Sequence, residues 1–404
     1  MSPPRRRAAL VFIVITVVLD FLAIGVIVPV LPTLVVDFLH GDTARAAEVY
    51  GLFGTVWALM QFVFSPVLGA LSDRFGRRPV ILISNFGLGL DYIIMATAPS
   101  LTWLFVGRVL SGITAASYAT ALAYIADVAP PEQRARGFGL LGAAFSFGFI
   151  IGPAVGGLLG TIGPRLPFWF AGGLSLANAL YGLLVLPESL PPARRAPFRW
   201  RGANPIGALT LLRSHPELLG LAGAFFLYSV AHDVLPSTFV LYASYRYGWS
   251  QREVGFLLAG IGICGMIVQA GLAQPAVTRL GERRVLLGAL LCGTLGFSIY
   301  GLAPRGALLW LGVPLQSLWG LSSVAAQGLM TRRVDPSSQG QLQGATASLR
   351  GIGGMIGPGL FTLTFAHFIS PDAARQVPGA SFFLAAALLV ASAALAARVT
   401  RASA

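Results

Sequence analysis

The sequence predicts an all-α membrane protein with twelve transmembrane helices in two pseudo-symmetric six-helix bundles. Three observations predict it: charge is scarce, apolar residues fall in twelve runs of spanning length, and the two halves of the chain repeat each other. Of 404 residues 55% are hydrophobic and 11% charged, against about 25% charged in an average soluble domain. A helix crossing roughly 30 Å of hydrocarbon needs about 20 mainly apolar residues, because each advances it by only about 1.5 Å. A soluble core of this size has no use for twelve such runs.

The first six runs cover 9–32, 47–71, 79–98, 101–126, 137–160 and 167–187. The opening Met1-Ser-Pro-Pro-Arg-Arg-Arg7 imitates a signal peptide. Its apolar run is too long for one, carries Asp20 and lacks a small-residue cleavage site, so it reads as an uncleaved first helix. A break from Glu188 to Pro216, rich in proline and arginine, follows. The other six runs cover 216–242, 250–275, 285–303, 306–330, 342–369 and 379–399. The expected organisation is a bundle over 1–187, a cytoplasmic linker over 188–215 and a second bundle over 216–404. Cys264 and Cys292 both fall inside apolar runs, where two thiols make neither a disulfide framework nor a metal site.

A net charge of +13 would suggest nucleic acid in a soluble protein. Here its placement follows topology. All 28 basic residues are arginine, and with alternating helices most fall on one side: Arg5–Arg7, the 74–78 loop, Arg134, Arg136, the linker, Arg279, Arg283, Arg284, Arg332, Arg333, Arg398 and Arg401. By the positive-inside rule that side is the cytoplasm, holding both termini and the linker. Nucleic acid is excluded as a partner.

The repeat is explicit. Leu71-Ser-Asp-Arg-Phe-Gly-Arg-Arg-Pro-Val-Ile-Leu82 aligns with Ala276-Val-Thr-Arg-Leu-Gly-Glu-Arg-Arg-Val-Leu-Leu287, and the same offset of 205 residues carries Gly152-Pro153 onto Gly357-Pro358. Parallel repeats of six helices place a substrate site near the midplane between them.

Four motifs now carry a resemblance. They are Gly69-Ala-Leu-Ser-Asp-Arg-Phe-Gly-Arg-Arg78, Leu104-Phe-Val-Gly-Arg-Val-Leu-Ser-Gly112, Gly148-Phe-Ile-Ile-Gly-Pro-Ala-Val-Gly-Gly157, and the set Asp20, Gly25, Pro29 and Pro32. With them the chain resembles the major facilitator superfamily and, within it, the drug/proton antiporters. Gly25–Pro32, Ala58–Gln61, Leu90–Tyr92, Leu110–Thr114 and Phe168-Trp169 make it similar to tetracycline/proton antiporters. The resemblance implies a proton-coupled exporter of a small amphipathic compound working by alternating access in the inner membrane.

In the 69–78 motif, Gly69 and Gly76 are expected to permit close helix approach and a tight turn, and Asp73, Arg74 and Arg77 to form a charge cluster at the cytoplasmic mouth. The resemblance implies a latch that holds the two halves together when the outside is open, with Asp73 facing a helix N-terminus in the other half, where the dipole favours an anion, and Arg77 paired with Asp127. The alternative is a plain positive-inside loop. The second copy has Thr278 where Asp73 stands, so the latch is expected on one side only. Gly148, Gly152, Pro153, Gly156 and Gly157 allow close helix packing and a bend; the link to export comes from the resemblance alone.

Acids within spans cost about 2.5–3.5 kcal/mol on insertion scales and so face a partner or a wet cavity. Asp20, and less directly Asp91, are candidates for proton coupling, with Arg108 as the counter-charge. In the second half, the histidine and acid of the resembled exporters are replaced by Gly265 and Cys292. This chain instead has His232-Asp233 and Arg350; Asp233 and Arg350 are expected to form an ion pair, direct or water-bridged, the alternative being that each is solvated separately toward opposite membrane faces. Gln61, Gln269, Gln316 and Gln327 supply hydrogen bonds toward an expected substrate cavity. Phe64, Tyr118, Trp319 and Phe361 supply flat surfaces, though aromatics in membrane helices also serve packing.

The main rival is an importer or facilitator of a sugar or metabolite on the same fold. A channel would show charged rings. An enzyme would show a nucleophile motif or metal-ligand spacing, and His40, His215, His232 and His367 show neither. The expected partners are protons, a small-molecule substrate and the lipid bilayer, with no cofactor, no metal and a monomeric chain.

Overall fold

The computed structural model describes residues 3–198, 204, 207–335 and 338–401; the linker arginines Arg199 and Arg201 lie outside them. Among the described residues twelve helices are long and apolar enough to cross a membrane. They are α1 Ala9–Phe38, α2 Thr43–Phe75, α3 Arg77–Thr97, α4 Leu101–Val128, α5 Glu132–Ile162 and α6 Leu166–Val185. The second six are α7 Pro216–Tyr247, α8 Gln251–Leu280, α9 Glu282–Leu302, α10 Gly306–Thr331, α11 Gln339–Ile369 and α12 Ala380–Arg401. Each overlies one predicted run.

Several helices are broken. A turn over residues 28–30 interrupts α1, where Pro29 has no N–H to give the helical ladder. Another break falls at residues 115–116 of α4. The sequence offset carries these breaks onto Asp233 of α7 and Gly320 of α10, and both of those helices are interrupted there. The repeat seen in a few motifs thus extends to backbone irregularities in both halves.

Contacts divide the chain into two compact units. The first holds Met1–Leu34, Val56–Asn204 and Gln251–Ala259; the second holds Val35–Thr55, Pro205–Ser250 and Gly260–Ala404. Each includes a short stretch from the opposite half of the sequence.

With lipid outside, burying apolar side chains gains little, and helices associate through close packing and a few hydrogen bonds. The two units solve this differently. In the first, Ala9, Ile13 and Val17 of α1 meet Ala121 and Ile125 of α4 and Leu141 and Ala144 of α5 in a mostly aliphatic core. In the second, rings pack edge to face: Phe382 lies 4.8 Å from Tyr242 and 5.8 Å from Tyr300. Two hydroxyls are also used: that of Tyr242 donates to the Tyr300 carbonyl, and that of Tyr247 to the Ala303 carbonyl at 2.7 Å.

Candidate functional site

The break in α4 places Ser117 at the start of a new helical segment, where its hydroxyl donates to Asp20 Oδ2. Asp20 is 2% exposed, and its other oxygen is buried without a hydrogen-bond partner. Among the described residues it has no ion pair. Asp91 of α3 and Arg108 of α4 do pair, both buried, and the guanidinium also lies 3.7 Å from Met95 Sδ. Arg108 therefore serves Asp91 rather than Asp20. A Cβ on Gly107 would run into the Asp91 carboxylate, so a glycine beside the arginine lets the acid approach.

At the corner where α2, α3 and α4 meet, Arg77 Nε donates to Asp127 Oδ2 at 3.0 Å, and its Nη1 reaches Asp73 and, at 3.2 Å, Ser72 Oγ. Asp73 thus bonds the arginine of its own motif. Arg74 lies over the ring of Phe75, 5.0 Å from its centre, and Gly69 faces open space. Glu188 was absent from the expected set. Its carboxylate accepts the backbone N–H of Arg77 at 2.9 Å and of Arg78 at 3.3 Å. These are among the donors the first turn of α3 cannot satisfy itself, and the anion also suits the helix dipole. Gly76 makes this possible: its φ is +111°, and a Cβ there would collide with the Glu188 carboxylate. The available signal was an acid directly after the sixth run, opposite a helix start with no capping side chain.

The second half has its own corner. Glu282, at the start of α9, lies 3.2 Å from Arg332, just beyond the end of α10. By the 205-residue offset these are the positions of Arg77 and Asp127, with the charges exchanged. The expectation of a one-sided latch is corrected in that respect: Thr278 removes the counterpart of Asp73, yet an ion pair remains.

The small residues of α5 form a seam with α1. A Cβ on Gly152 would lie 2.6 Å from Gly25 Cα, and one on Gly148 2.7 Å from the Phe21 backbone; Gly156 faces the Val26 backbone as closely. Farther along, Gly157 and the Pro153 carbonyl receive Gln251 and Gly255 of α8.

The residues expected around substrate are dispersed. Gln61, Phe64 and Tyr118 are half-buried, with the Tyr118 ring edge-on to Phe21 at 5.3 Å. Gln269 is exposed and donates to the Gly320 carbonyl at 3.2 Å, while Gln327 donates to Gln343 at 2.6 Å. Gln316, Trp319 and Phe361 are corrected. All three are buried within the second unit, because Gly296 and Gly293 of α9 leave hollows that Gln316 and Trp319 fill. His232 and Arg350 are exposed, and Asp233 is half-buried at the α7 break.

The expected Asp233–Arg350 pair is absent among the described ion pairs, and helix register explains it. A Cβ on Gly357 of α11 would lie 2.6 Å from Asp233 Oδ2, whereas Arg350 sits over the ring of Phe225 at 5.6 Å. Seven residues of α11, about 10 Å of helix, separate the two contacts.

Comparison with known proteins places this geometry. The model of the Major Facilitator Superfamily matches residues 13–358. Tetracycline resistance protein, class C, of Escherichia coli is 39% identical over 384 residues, 94% of this chain and 96% of its own length. The class B protein of Escherichia coli is 35% identical over 86% of each chain. Among solved structures, the human organic anion transporter MFSD10 (TETRAN) is similar with a TM-score of 0.70 at 24% identity, covering 98% of this chain and 100% of that one.

Proposed function

The chain belongs to the Major Facilitator Superfamily, and on that premise we propose that it is a proton-driven exporter of small amphipathic drugs, tetracyclines among them. It is a multi-pass membrane transporter, not an enzyme. Its substrate class follows the relatives of similar length that confer tetracycline resistance. The bundles over 1–187 and 216–404 would work by alternating access in the inner membrane, with both termini cytoplasmic, a reading that the arginine distribution supports.

One observation carries the coupling reading. Asp20 lies within the first span, removed from solvent, and is held by a hydroxyl rather than a cation. An acid costly to bury is otherwise found with a charged partner, as Asp91 is with Arg108. An acid left without one is the arrangement of a group that takes up and gives back a proton as the cavity changes sides. The Arg77 corner would hold the cytoplasmic ends of α2, α3 and α4 in register during that movement.

The test uses purified protein in proteoliposomes under an imposed proton gradient, with tetracycline as substrate. Asp20→Asn is expected to abolish gradient-driven accumulation and to leave tetracycline counterflow, which needs no gradient, largely intact. Full gradient-driven transport by that variant would sink the coupling role.

A further inference from the structure

The first unit neutralises its buried arginine with a neighbouring aspartate. The second unit does not, although it holds one charge of each sign on the same helix pair. Among the described residues neither the Asp233 carboxylate nor the Arg350 guanidinium has an ion pair or hydrogen-bonded side-chain partner. Arg350 stands against an aromatic ring, and Asp233 against a glycine. An unpaired charge within a span is costly. One turn of register would bring the two closer, so stability alone does not account for their separation.

Between the charges the surface is aromatic. Tyr228 follows Phe225 along α7, ring centres 5.7 Å apart, and His232 comes one turn later. Trp319 of α10 backs both, 5.3 Å from Tyr228 and 5.7 Å from His232. His232 and Arg350 are exposed, Tyr228 and Asp233 partly so. The arrangement is an aromatic strip with a cation at one end and an anion at the other, about 10 Å apart along the helices.

We propose that this strip of the second unit is a subsite for amphoteric aromatic compounds, whose acidic group docks on Arg350 and whose amine docks on Asp233 while the ring system lies on Tyr228 and His232. The proposal rests on the exporter reading and deepens it by naming what the substrate must carry. Planar guanidinium matches a carboxylate with two parallel donors, and charge-assisted hydrogen bonds are about twice as strong as neutral ones. A cation lacking an acidic group meets Arg350 as a repulsive element, so the strip also discriminates.

The experiment measures equilibrium binding to the full chain in nanodiscs, with no gradient. Three probes share related ring systems: ciprofloxacin (carboxylate and distal amine), its ethyl ester (amine only) and nalidixic acid (carboxylate only). Wild type is expected to bind ciprofloxacin at least about tenfold more tightly than either of the others, the scale of one charge-assisted hydrogen bond. Arg350→Gln is expected to weaken ciprofloxacin and nalidixic acid and spare the ester. Asp233→Asn is expected to weaken ciprofloxacin and the ester and spare nalidixic acid. Arg350→Lys, which keeps the charge, recovers part of the loss. Ciprofloxacin bound no better than its ester overturns the proposal, as do variants that change all three probes equally or none. Binding of this pattern in a chain that ignores a proton gradient would sink the exporter reading and leave the subsite standing.

Discussion

The Arg77 corner of the first half and the Glu282 corner of the second occupy equivalent positions 205 residues apart, and they are built from opposite charges. In the first, Arg77 reaches Asp73 and Asp127 while Glu188 closes the helix start behind it. In the second, Glu282 meets Arg332 and nothing lies within 4 Å of where a Cβ on Gly281 would be. Both corners turn on a glycine at positive φ, +111° at Gly76 and +78° at Gly281. The same holds deeper in the membrane, where the positions of Asp91 and Arg108 are taken by Gly296 and Val313. Turns and helix breaks repeat; the paired charges do not keep their signs, and the buried pair has no counterpart. The fold needs the former, and the latter are placed for what each half does.

The buried pair gives the largest expected effect. Removing one partner, as in Arg108→Ala, should cost about 3–5 kcal/mol because it strands the other charge. Asp91→Ala with Arg108→Met should recover most of that loss, as the uncharged equivalents in the second half lead one to expect. Thermal unfolding in a fixed detergent reads both, and a double variant as unstable as the single would show that the fold does require this pair.

The two glycines come next. Both φ values lie where L-residues are strained by about 1–3 kcal/mol, but only Gly76 also faces a carboxylate. Gly76→Ala should therefore lower the unfolding temperature more than Gly281→Ala. Equal losses would mean that Glu188 yields readily and caps α3 only loosely.

The smallest effect separates the two arginines. The Arg77 side chain is 12% exposed and serves two acids, whereas that of Arg332 is 75% exposed and serves one. Exposed pairs are worth about 0–1 kcal/mol. Arg332→Ala should leave the rate of the proposed tetracycline transport within about fivefold, by the same energy scale, while Arg77→Ala slows it far more. A matching loss at Arg332 would make the second corner as important as the first.

The spans were legible in the sequence because crossing hydrocarbon demands length and apolarity, both local properties. The Arg77–Asp127 pair was legible through resemblance. Side-chain direction was not. Gln316 and Phe361 sit in helices apolar all round, so nothing local tells which face meets lipid, protein or water. Asp233 and Arg350 were matched by charge, but whether they meet depends on the register of α7 against α11, which neither helix encodes alone. Glu188 escaped for a related reason: its partners lie more than a hundred residues away in the chain.

The seat of Gln251 has a consequence in the order of synthesis. Its side chain donates to Thr33 Oγ1 at 2.7 Å, and its backbone rests on Gly157, so the opening of α8 belongs to the first unit. The ribosome makes that stretch only after the linker and all of α7. The first unit, once its own six helices are inserted, must wait with the Thr33 end of α1 and the glycine face of α5 unfilled until the eighth helix arrives.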